Sequence, residues 1–271
     1  MVRMCSPWHA AVLALTFVAA ACAADLRLPL RSRVEAFKGS GVWEAVEFEQ
    51  ALPAAETAVL ICDMWDKHWC SGASRRVDAL ALKMAPVLNA ARAGRIQIIH
   101  APSETMDFYK DWPQRQTILR IAPIDPPAPL GLPDPPLPID DSDGGCDTRD
   151  SFYKAWTREN AALSIGNADV ISDDGTQIYS FLRARGIRNL LVMGVHANMC
   201  VLNRSFAIKR MTNWGMRCIL VRDLTDSMYN PQARPFVTHA QGTALVVEHI
   251  ERYWCPSTLS ADLIKALDAA M

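Results

Sequence analysis

A chain of 271 residues, 50% hydrophobic and 21% charged, has ordinary globular composition, which sets aside the disordered and collagen-like classes. Its formal net charge of -1 leaves no basic excess for nucleic acid or an anionic membrane surface. The length suits one sizeable domain, and composition leaves homo-oligomerisation open.

Residues 1–24 read as a signal peptide. Arg3 supplies a positive start, an apolar run covers residues 10–21, and the small residues Ala21, Ala23 and Ala24 surround a cleavage point. The run falls short of the about 20 residues a spanning helix needs, and no other segment is long and apolar enough to cross a membrane. The chain is therefore expected in the periplasm or outside the cell, with lipoprotein anchoring at Cys22 as an alternative. Residues 25–56 alternate in part, with Leu26, Leu28 and Leu30 apolar and Val46 and Phe48 set among glutamates. That period of two, with Gly39 and Gly41 between, predicts a small N-terminal β extension.

Residues 57–271 carry the main pattern. An apolar strand over 57–62 ends at Asp63, an amphipathic helix over 77–93 stops at Gly94, and a second strand over 95–101 completes a right-handed βαβ unit. A proline-rich insertion around 123–147 follows, ending in an acidic tract without the ligand spacing of a calcium loop. The alternation then resumes, with strands over 169–171, 188–194, 216–222 and 255–258. Helices are predicted over 175–185, 203–214 and 236–253, and from residue 261. Apolar strands of this kind are buried on both faces. The fold class is α/β: a three-layer α/β/α domain with a mostly parallel, Rossmann-like sheet of about six strands.

In such sheets, sites gather at the carboxyl ends of strands. That rule selects Asp63, His100 and the segment from Gly194 to Cys200. Cys200 lies at a strand-to-helix turn, where helix N–H groups lower a thiol's pKa and can hold an oxyanion. An acid on a neighbouring strand end can take the thiol proton. Of the eight cysteines, Cys62 and Cys218 sit in apolar runs, whereas Cys70 and Cys146 lie in polar loops where pairing is open. No CxxC motif occurs, which argues against structural zinc and redox chemistry.

The segments GVHANMCV, preceded by RARGIRNLLVMG, and AVLICDMWDKHWC resemble the nucleophile segment and the first strand with its acid in the isochorismatase-like cysteine hydrolases, which include nicotinamidases. The resemblance covers most of the chain from about Thr57. It implies Cys200 as nucleophile, Asp63 as acid/base, a cis peptide between Val195 and His196, and an oxyanion hole from the N–H groups of His196 and Cys200. The family's catalytic lysine has no counterpart in residues 167–176, so Lys154 or Arg158 is expected to supply the cation that a carboxylate beside a thiolate requires. The Asp-x-His metal pair of nicotinamidases is also missing after the second strand. No metal or cofactor is expected, although Asp66 and His68 stand near Asp63. Trp65, His68, His100 and Asn198 are expected to line the substrate pocket.

The activity implied is hydrolysis of an amide or related C–N bond in a small molecule. The alternatives are vinyl-ether hydrolysis of the isochorismatase type, without the thiol, and a non-catalytic exported binding protein on the same scaffold.

Overall fold

The first strand of the main pattern shows how the layers form. The computed structural model describes residues 25–271, so the expected signal peptide and the Cys22 anchoring site lie outside the described residues. Strand β3 (Thr57–Cys62) is buried at every position. Ala58, Leu60 and Cys62 face one apolar core and Val59 and Ile61 the other, because successive strand side chains point to opposite faces. A strand with apolar residues on both faces needs cover on both, which is why helices flank the sheet on each side.

The elements before it are β1 (Asp25–Glu35) and β2 (Trp43–Pro53). After β3 come α1 (Ser71–Ala93), β4 (Gln97–Ala101), α2 (Met106–Tyr109), α3 (Pro113–Leu119) and β5 (Val170–Ile171). Then follow α4 (Gly175–Ala184), β6 (Asn189–Val195), α5 (Cys200–Asn203), α6 (Ile208–Asn213) and β7 (Arg217–Asp226). The chain closes with α7 (His239–Tyr253), β8 (Ser257–Thr258) and α8 (Ser260–Ala269).

One sheet of eight strands has the order β2-β1-β8-β7-β6-β3-β4-β5. All pairings from β8 to β5 are parallel, and β1 is antiparallel to both β2 and β8. The two strands beyond the six expected are β1 and β2, a hairpin that continues the sheet instead of standing apart from it. Leu26, Leu28 and Leu30 of β1 are buried in the same core as Leu263 and Leu267 of α8 and the apolar face of α1. α4, α6 and α7 cover the opposite face.

Three helices depart from the expected spans. α1 begins at Ser71, ahead of its apolar stripe. The single helix expected over 203–214 is two short ones, because Arg204, with ψ of 156°, breaks the helical path after Asn203. α7 starts later than expected, at a capping box in which Thr238 and Gln241 satisfy each other's backbone N–H groups. Among the described residues, no helix is long and apolar enough to cross a membrane.

Candidate active site

Asp63 is the residue after β3. Its N–H donates to the Ala101 carbonyl at the end of β4 (3.1 Å), and its φ of 48° turns the chain out of the strand. The carboxylate is buried. Oδ1 accepts the Ser103 N–H at 2.7 Å, and Oδ2 accepts Arg204 Nε at 2.9 Å. Burial raises the Asp63 carboxyl above its ordinary value, while Arg204, Cys200 and Ser103 pull it the other way.

Cys200 opens α5, beyond a turn that several contacts hold. Gly194, the last but one residue of β6, has φ of 119°, where a side chain would overlap the Cys62 carbonyl. The Val195–His196 peptide is cis. The Ala197 N–H donates to the Asp226 carbonyl at 2.7 Å. Asn198 ties the turn to two loops: Nδ2 donates to Asp141 Oδ2 (2.7 Å) and to the Met228 carbonyl (3.0 Å), and Oδ1 accepts the Met228 N–H (2.9 Å).

The Cys200 thiol lies against the Asp63 carboxyl. Burial pushes the thiol well above its ordinary value and the charge on Asp63 adds to this, whereas Arg204 and the His196 N–H oppose it. Burial and the Asp63 charge both favour the protonated thiol at rest.

The cation at this pair is Arg204, which the sequence reading missed. It follows Cys200 by four residues, so one helical turn brings both to the same side. Burial disfavours its charge, but Asp63 and Cys200 outweigh that and raise its pKa. The guanidinium also lies over the Trp65 ring (5.9 Å to the centroid) and within 3.5 Å of Glu104.

Lys154 and Arg158, the expected cations, stand elsewhere. Lys154 is 57% exposed and donates to the Glu104 carbonyl at 3.1 Å. Arg158 is 51% exposed, lies 3.9 Å from Asp66 and covers the Phe108 ring. The signal in the sequence that marks Arg204 is its i, i+4 spacing from Cys200.

Among solved structures, the chain is similar to a cysteine hydrolase from Pseudomonas syringae pv. phaseolicola 1448A. The TM-score is 0.52 at 18% identity, over 80% of this chain and 95% of that one. The chain shares that protein's fold. Two further structures are an isochorismatase family protein from Burkholderia thailandensis (TM-score 0.46, 16% identity, 79% of this chain and 96% of that one) and an isochorismatase from Pseudomonas putida KT2440 (0.46, 15%, 77% and 90%). No protein-family model and no curated protein matches the sequence.

On this fold, an open groove of about 430 Å³ exposes Cys200, with Leu137, Asp141, Asn198, Asn203 and Arg204 around it. The amide of Asn198 is already engaged, so that residue acts there as a strut. On the other side of Asp63, Trp65 stacks on Trp156 at 4.4 Å and donates its Nε1–H to the Ser103 carbonyl at 3.0 Å. His68 stacks beside Trp156 and meets the His196 ring edge-on at 5.0 Å. Burial, then the charge of Arg76, lowers His68 to about 4. Burial, then His68, lowers His196 to about 3. Both rings are neutral near neutral pH. Asp66 does not join His68: its carboxylate accepts the Thr157 N–H (2.9 Å) and hydroxyl (2.6 Å).

His100 is a correction to the expected pocket lining. It is fully buried, and its two ring nitrogens are taken by Glu159 (2.6 Å) and Asp169 (3.1 Å). Burial works against its charge, but the two carboxylates prevail and raise it to about 9. It is a charged structural post beneath the site, with Arg92 closing the far side of Asp169.

Proposed function

We propose that the chain is a hydrolase of the isochorismatase-like family, cleaving a small-molecule amide or related C–N bond through Cys200. The contact of a thiol, a buried carboxylate and a guanidinium at adjacent strand ends carries this reading. Asp63 takes the thiol proton as sulfur attacks the carbonyl carbon, so charge is generated only where Arg204 offsets it. The N–H groups of His196 and Cys200 receive the developing oxyanion. Asp63 returns the proton to the leaving amine, giving an acyl-enzyme. It then deprotonates the water that releases the acid and restores the thiol. Export through residues 1–24 belongs to the same reading, and cell fractionation tests it.

The raised carboxyl of Asp63 favours a second reading, since a protonated acid can drive vinyl-ether cleavage without the thiol. The two separate cleanly. Ammonia or amine release from a panel of small amides should vanish in Cys200→Ala and in Asp63→Asn, with unchanged unfolding transitions. Full amide turnover in Cys200→Ala would overturn the cysteine mechanism. Vinyl-ether turnover surviving Cys200→Ala but not Asp63→Asn would establish the second reading.

A further inference from the structure

Away from the groove, the thiols of Cys70 and Cys146 meet at the start of α1. Cys70 immediately precedes that helix, and both thiols are buried. Cys146 follows Gly144 and Gly145, whose φ values of 81° and 69° fold the acidic loop tightly back; a side chain at Gly145 would overlap the Met228 carbonyl. The Thr148 hydroxyl lies between the two sulfurs, 3.3 Å from Cys70 Sγ and 3.4 Å from Cys146 Sγ. Both sulfurs and an Asp150 carboxylate oxygen lie within 4.8 Å of one another. The surrounding contacts hold the loop on the helix. Asp150 accepts the Ser71 N–H at 2.7 Å and the Thr148 hydroxyl at 2.7 Å, and Arg76 pairs with Asp147 at 2.7 Å.

We propose that Cys70 and Cys146 form a disulfide, a covalent staple between α1 and the loop that carries Asp141 into the wall of the Cys200 groove. The two thiols are unequal. Burial raises Cys146, but hydrogen bonding with Cys70 and Thr148 and with the Thr148 and Asp150 N–H groups outweighs it and lowers that thiol. Burial and the bond to Cys146 raise Cys70. Cys146 keeps 6% of its surface exposed where Cys70 is fully enclosed, so Cys146 is the attacking thiol and Cys70 the resolving one.

The oxidant is a low-molecular-weight disulfide. Cys146 thiolate attacks one of its sulfurs, forms a mixed disulfide and expels the first thiolate. Cys70, losing its proton, attacks the Cys146 sulfur and expels the second. The protein gives up two electrons and two protons, and the reagent becomes two thiols. A thiophilic metal is the competing occupant, but the Asp150 carboxylate it would need already serves Ser71 and Thr148.

The test uses the full chain, reduced, freed of metal with a chelator and then incubated with oxidised glutathione. After quenching with N-ethylmaleimide and digestion, the expected product is one linked peptide pair joining Cys70 to Cys146, lighter by two hydrogen atoms. Oxidised protein should melt above reduced protein, because the bond closes a long loop, and Cys146→Ser should remove both effects. Peptide mapping of the unmutated chain decides the matter even if that variant folds poorly. Recovery of both residues alkylated, glutathione adducts that never resolve, or a thiol pair that holds zinc and resists oxidation would each overturn the proposal.

Discussion

Arg204 Nε donates to Asp63 Oδ2 at 2.9 Å, from a position four residues after Cys200. The cation therefore stands one helical turn from the thiol. Removing it leaves a buried carboxylate without its counter-charge. Arg204→Ala should lower kcat/KM by about 10²–10³, or about 3–4 kcal/mol of transition-state stabilisation. Because Arg204 holds the Asp63 carboxyl down, its loss should also shift the acid limb of the pH–rate profile to higher pH. Arg204→Lys should restore part of the rate, since it keeps the charge but loses the planar donor. An unshifted acid limb in the alanine variant would falsify this pairing.

His100 predicts a stability change at alkaline pH. Its pKa is raised in the folded state, from 6.5 to about 9. Its contribution is therefore complete below its unfolded pKa and disappears as pH rises through about 9, with a size of about 3 kcal/mol. Urea unfolding at about pH 6 and about pH 10 should show this loss in the unmutated chain. His100→Asn should be weaker at the lower pH and should lack most of the pH dependence. Equal pH dependence in the two proteins would show that the charged imidazole contributes nothing.

Asn198 should matter through position alone. Asn198→Ala leaves the Met228 N–H and the Met228 carbonyl without their buried partner, at a cost of about 2 kcal/mol. The nucleophile turn loosens with it, so kcat should fall more than KM rises. A variant changed only in KM would point instead to direct substrate contact by Asn198.

Gly194 of β6 pairs with Cys62, the last residue of β3. Gly194→Ala should destabilise the fold by about 3 kcal/mol, because the new Cβ meets the Cys62 carbonyl at a φ of 119°. Chemical denaturation measures this directly. A loss below about 1 kcal/mol would show that the strand ends have room to move apart.

Much of the frame was legible because β3, β4, β6 and β7 are apolar runs, and parallel burial needs little else. The positions of Asp63 and Cys200 followed from the strand-end rule. What failed depended on contacts distant in sequence or on short elements. His100 also ends a strand and so looked like a site residue, yet its partners lie 59 and 69 residues further on. The joining of β1 to the sheet rests on β8, only two residues long and too short to show a period. Arg204 sat inside a predicted helix as one cation among several. Only the break in that helix and the approach of Asp63 give it its place.

The long segment between β4 and β5 supplies Asp141, Cys146, Trp156 and Glu159, but no member of the Asp63, Cys200 and Arg204 group. It supplies supports instead: the Ser103 N–H on Asp63, the Asp141 carboxylate on Asn198 and the Glu159 carboxylate on His100. A change of length that spares the Asp63, Cys200 and Arg204 group therefore belongs in the largely exposed proline-rich stretch between those ties, and not at either end of the segment.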